Sequence, residues 1–183
     1  MTTLETATKN YREKGEVEMK ITPDEAQKLI HSLEEDRRQL VDKMKKLVTF
    51  VVGVSEGDPE KLRPEFNFSE TVHEIEKIDE RIRRIRHARN IFNTTTFLPD
   101  EKITVDEALI LMSMLNKNYG YYLDLGNRQP KEREDGLREE IEYSYINYDV
   151  REVKQYGKDM YERMLEIQTK LNLVNSTCTF EVD

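Results

Sequence analysis

Arg37 and Arg89 stand out for their chemistry because each falls on the apolar stripe of a helical pattern. A guanidinium held there without a partner is costly, so it must meet a carboxylate or an anion. Glu34, Glu35 and Asp79 are the nearest candidates for simple pairing. The sharper reading is a small-anion pocket around Arg89, lined by Asn90, Asn93 and Thr94 beyond it and by Gln168 and Asn172 on a later helix. Amides and hydroxyls of this kind orient an oxyanion beside a guanidinium, but they supply neither nucleophile nor general base. Carboxylate pairing is the plainer expectation; the pocket is the alternative, and its residues include no catalytic group and name no enzyme.

The other chemistry-bearing groups have plainer readings. Arg81, Arg83, Arg84, Arg86, His87 and Arg89 resemble a phosphate-binding run, yet Glu70, Glu74, Glu76, Asp79 and Glu80 occupy the preceding turns. Acids toward the start of a helix and bases toward its end are what the helix dipole and pairing one turn apart favour. His31, His73 and His87 share no ligand spacing with one another or with Cys178, so no metal site and no cofactor are expected. The Tyr119, Tyr121, Tyr122 run reads as packing with a wet edge.

Composition narrows the setting. A formal net charge of -8 opposes any overall attraction to nucleic acid. One cysteine permits no intrachain disulfide, which suits a reducing cytoplasm. Apolar segments fall short of the ~20 residues a membrane-spanning helix needs, so no membrane partner is expected.

These residues need long helices to hold them. With 36% charged residues and only 7 Gly and 5 Pro, the chain is expected to be all-α: a long antiparallel helical hairpin packed with two further helices, coiled-coil-like, with a minor β element near the C-terminal region. Residues 1–20 read as a flexible extension and 21–183 as a single domain. Thr22-Pro23-Asp24-Glu25 is a capping box opening the first helix, whose seam of Ala26, Ile30, Leu33, Arg37, Leu40, Met44, Leu47 and Val51 predicts an extent to about Val52. A second helix from about Ser69 carries Val72, Ile75, Ile78, Ile82, Ile85, Arg89 and Phe92, placing Arg89 beside Ser32, Glu35 and Asp36. Thr104 to Glu107 opens a third helix that is apolar nearly all round, as a fully buried helix or one facing another subunit would be. Residues 126–136 read as a mobile charged connection, and 140–146 and 177–182 as short strands. A third box, Asp149 to Glu152, opens a fourth helix on Val150, Val153, Gly157, Met160, Met164, Ile167 and Leu171.

Five stretches in order carry a resemblance: Glu56-Gly57-Asp58-Pro59-Glu60; Arg89 through Thr96; the Thr104 box; Glu140 to Tyr143 followed by Asp149-Val150; and Ile167-Gln168 with Leu171-Asn172 and Asn175. Over residues 19–183 the chain resembles a bacterial family named after a corynebacterial locus with the tag DIP, some members of which are labelled septicolysin. It departs from that pattern after Ala108-Leu109, where the family often has Arg-Asp and this chain has Ile110 and Leu111. The resemblance implies a small helical protein and supplies no catalytic residues. The function expected is a self-associating structural or interaction module. The alternative is a binding protein or enzyme for a small anion at Arg89. A cytolysin would follow from the family label alone.

Overall fold

A computed structural model describes residues 19–134 and 141–182. Most of the extension expected at 1–20, and the stretch that joins 134 to 141, lie outside the described residues. In chain order the elements are strand β1 (Met19–Ile21), helix α1 (Pro23–Leu47), the single turn α2 (Pro59–Leu62), helices α3 (Phe68–Thr95) and α4 (Val105–Asn127), strands β2 (Lys131–Glu134) and β3 (Glu142–Tyr145), helix α5 (Val150–Thr177) and strand β4 (Phe180–Val182). The fold is all-α with two small antiparallel ladders, β1 with β4 and β2 with β3. It divides into two compact units, one of Met1–Phe92 with Asn175–Asp183 and one of Asn93–Val174.

The first unit is built on α1 and α3. Thr22 closes the capping box in both directions: its hydroxyl accepts from the Glu25 amide at 3.2 Å, and its own amide donates to the Glu25 carboxylate at 2.9 Å. Ala26, Ile30 and Leu33 form the buried stripe of α1, and Ile75, Ile82, Ile85 and Phe92 that of α3. Arg37 donates to Asp79, Arg86 to Glu34 and Arg89 to Gln27. Numbers rise along one helix as they fall along the other, so the pair is antiparallel. This register sets Arg89 beside Gln27, roughly two turns nearer the start of α1 than the expected Ser32 to Asp36.

The same register explains why α1 ends at Leu47 and not near Val52. Eleven residues on from Arg37 is Val48, and eleven back from Asp79 is Phe68, where α3 begins. Beyond that point no α3 residue faces the chain, and β-branched Thr49, Val51 and Val52 have little intrinsic reason to continue a helix. Val51 is fully exposed. Ladder β1–β4 completes the unit: Ile21, Phe180 and Val182 are buried, Lys20 stands opposite Glu181 on the outer face, and the Phe180 ring lies 5.4 Å from that of Phe92.

In the second unit α4 and α5 run antiparallel, shown by Tyr119 against Tyr161, Tyr122 against Tyr156, and Gly126 against Lys154. Thr104 repeats the capping box with Glu107, and the Asp149 carboxylate caps α5 by accepting from the Arg151 amide at 2.8 Å. Val153, Ile167, Leu171 and Val174 are the buried positions of α5 apart from Gly157. Helix α3 runs on past its last seam position, Phe92, to Thr95. The chain then folds back through a bridge between Phe97 and Thr104, with Asp100 in the left-handed region at φ 59° and Leu98 buried.

Helix α4 encloses only Val105, Ala108, Leu115 and Gly126, so full burial, one of the two readings of its apolar character, does not hold. Lys131–Glu134, read as mobile connection, is a strand. Ladder bonds run between main-chain groups, and the partner strand supplies Tyr143 and Tyr145, whose rings lie 3.8 and 5.5 Å from the Lys131 ammonium.

Candidate functional site

Arg37 and the six residues of the anion pocket read around Arg89 are divided between the units. Arg37, Arg89 and Asn90 belong to the first; Asn93, Thr94, Gln168 and Asn172 belong to the second. Arg37 is a rim residue whose Nε donates to Asp79 at 2.6 Å, and that carboxylate raises the already high pKa of the guanidinium. Both side chains are more than two-fifths exposed, so the pair contributes little to stability. Arg89 donates to the neutral Gln27 amide oxygen at 2.6 Å. In the second unit Gln168 donates to Asn172, one turn on, at 2.8 Å. Asn90, Asn93 and Thr94 lie in the last turns of α3.

The strongest electrostatic cluster is one the sequence did not single out. Glu101, on the bend between α3 and α4, receives both guanidinium nitrogens of Arg163 at 2.9 Å and the Lys170 ammonium at 2.7 Å. Its side chain is only 15% exposed. Hydrogen bonds from Arg163, then from Lys170, outweigh burial and hold its carboxyl down at about 2. Arg163 also bonds Glu166 at 3.0 Å. Two cations and two carboxylates pair with one another, so the cluster reads as a clamp on the bend. Arg163 and Lys170 lie two turns apart on one face of α5, which is a signal visible in the sequence; the acid they share is not.

Between α4 and α5 lies a half-open crevice of about 340 Å³. Two glycines line it. Gly157 on α5 faces Tyr122, whose Cβ is 3.5 Å from where a side chain would begin, and Gly126 on α4 lies beneath the aliphatic stem of Lys154. The walls are the rings of Tyr119, Tyr122 and Tyr161, with Tyr119 and Tyr161 5.3 Å apart at 38°. Lys154, Lys158 and Asn127 supply the polar edge. Lys158 is 3.5 Å from Glu162, whereas Lys154 meets no carboxylate among the described residues.

On the other side of α4, Ile110, Met114 and Tyr121 are 56%, 58% and 60% exposed. With Lys117 they step by four, three and four, so they share one stripe. This stripe lies away from Tyr119, Tyr122 and Gly126, which meet α5. No helix among the described residues is long and apolar enough to cross a membrane.

These features define an all-α protein with two minor β ladders and no catalytic constellation among the described residues. No family model matches the chain, and no curated protein does. Among solved structures it is similar to a functionally unknown conserved protein from Corynebacterium diphtheriae, at 20% identity and a TM-score of 0.59, covering 88% of this chain and 99% of that one. At that identity the likeness shows the fold alone. A corynebacterial neighbour of unknown function is consistent with the resemblance read from the five stretches; the septicolysin label finds no support in it.

Proposed function

We propose that the protein is a non-enzymatic cytoplasmic interaction module that associates with a second copy of itself through the outer stripe of α4. The observation that carries this reading is Ile110, Met114 and Tyr121, three large side chains exposed along one seam of a helix that is otherwise rich in Leu and Met. A heptad-spaced stripe suits a partner helix, and a two-fold antiparallel pairing suits this one. It sets each Lys117 against an apolar residue of the other copy, whereas parallel pairing would bring the two Lys117 ammonium groups together. Light scattering and sedimentation of the full chain should show a concentration-dependent dimer. Ile110→Asp should return it to monomer with its helical circular dichroism unchanged, because residue 110 is exposed in the single chain. A wild-type protein that stays monomeric at hundreds of micromolar would end this reading, as would an unaltered Ile110→Asp dimer.

Arg89 supports a second reading, a small anion bound at the end of the α1–α3 pair. Its guanidinium meets the neutral Gln27 amide, so its charge is left for an incoming oxyanion, with Asn90, Asn93 and Thr94 nearby in sequence. Stabilisation by millimolar phosphate or small carboxylates that disappears in Arg89→Gln is the expected result. Identical melting of the two proteins with and without those anions would remove it.

A further inference from the structure

We infer that the crevice between α4 and α5 is a binding site for a small aromatic carboxylate. This rests on neither the α4 outer stripe nor Arg89. The cavity of about 340 Å³ is within the range of small-molecule pockets and holds a bicyclic ring system. Tyr119, Tyr122 and Tyr161 line it, Tyr119 packed on Tyr161 and Tyr122 on Tyr156, and this aromatic lining suits a planar apolar body. Gly157 presents no side chain to it where two long helices meet, and the stem of Lys154 packs over Gly126.

The charge of the ligand follows from the edge groups. Lys154 lays its stem across Gly126 and lines the crevice, and it has no carboxylate partner among the described residues. Lys158, one turn on, shares a single exposed carboxylate at 3.5 Å. Tyr119, Tyr122, Tyr161 and Asn127, which also line the crevice, carry further hydrogen-bond donors. A site that offers ammonium and phenol donors around an aromatic slot selects an anion carried on a ring. A bare anion lacks the stacking, and a neutral ring lacks the charge-assisted hydrogen bond.

Naphthalene-2-carboxylate, titrated into the full-length protein labelled with ¹⁵N, is the probe. Saturable shifts of amides on α4 and α5 around Tyr122, Gly126, Lys154 and Gly157 are expected, with the neutral 2-naphthamide and inorganic phosphate each binding at least about tenfold more weakly. Lys154→Gln, a rim substitution, should weaken the carboxylate about tenfold and leave the amide's affinity unchanged. Gly157→Leu should abolish binding by filling the slot, and Gly157→Ala, whose methyl fits beside Tyr122, should weaken it in a protein that is fully folded. The inference is overturned by an absence of saturable shifts at millimolar probe. It is equally overturned if the shifts survive Lys154→Gln and Gly157→Ala unchanged, or if they map to the Ile110 stripe.

Discussion

Replacing Gly157 by alanine makes a quantitative test of how α4 and α5 meet. Glycine in a helix interior is less stable than alanine by about 1 kcal/mol, because it loses more backbone freedom on folding. A methyl group at residue 157 would begin 3.5 Å from the Tyr122 Cβ, ordinary van der Waals contact, at a buried position. Covering one such group adds up to about 0.8 kcal/mol. The two effects share a sign, so Gly157→Ala should stabilise the protein by about 1 to 2 kcal/mol. For a chain of this size that raises the melting midpoint by roughly 2 to 8 °C. Gly120 provides the control: it lies in α4, is exposed, and an added methyl there meets nothing within 4 Å. Gly120→Ala should therefore gain only the propensity contribution of about 1 kcal/mol. Both glycines belong to the same unit, so the two variants report on one unfolding event. Urea denaturation followed by far-ultraviolet circular dichroism gives the ranking directly. If Gly157→Ala is less stable than wild type while Gly120→Ala is more stable, Tyr122 cannot accept the methyl and the account of the crevice is wrong.

Two further outcomes test other parts of the molecule. The folded-state pKa of Glu101, about 2, lies below its ordinary 4.5, so its contribution to stability is complete above about pH 4.5 and is lost as the pH falls toward 2. The difference in urea midpoint between wild type and Glu101→Gln should be large at pH 7 and shrink steadily below pH 4.5; a difference that is independent of pH would show that charge at Glu101 is not what holds the bend. Ile85 is fully enclosed on α3, so Ile85→Ala should cost about 2 to 5 kcal/mol. A loss under 1 kcal/mol in chemical denaturation would mean that this stripe of α3 is not packed as described.

Helix starts were legible because Thr22 and Thr104 combine a hydroxyl cap with a glutamate three residues on, and both capping boxes form. Helix ends were less so. The seam of α1 reads through Val51, but what stops the helix is where α3 starts, which no local pattern encodes. Arg37 was expected to meet a carboxylate and meets Asp79; the Gln27 partner of Arg89 was hidden by a register roughly two turns off. The β2 strand was invisible because Lys131-Glu132-Arg133-Glu134 has no apolar alternation, and its pairing depends on a partner more than seven residues away. Gly157 was legible as a seam position, and the tyrosines as packing with a wet edge. That these enclose a crevice depends on Gly126 and Lys154 arriving opposite them, a matter of how two helices align.

The β1–β4 ladder also constrains the order in which the molecule can be made. It joins Met19 to Val182, so almost the whole described chain lies between its two strands, and Asn93–Val174 is an insertion within the first unit. As the chain leaves the ribosome, α1 and α3 can pair early, but Ile21 and Phe92 lack their Phe180 cover until the last turns of α5 have emerged. Closing so long a loop costs only slowly increasing entropy, yet it delays the final contact. The inserted unit has every residue it needs before that moment, and the first unit is the one that must wait.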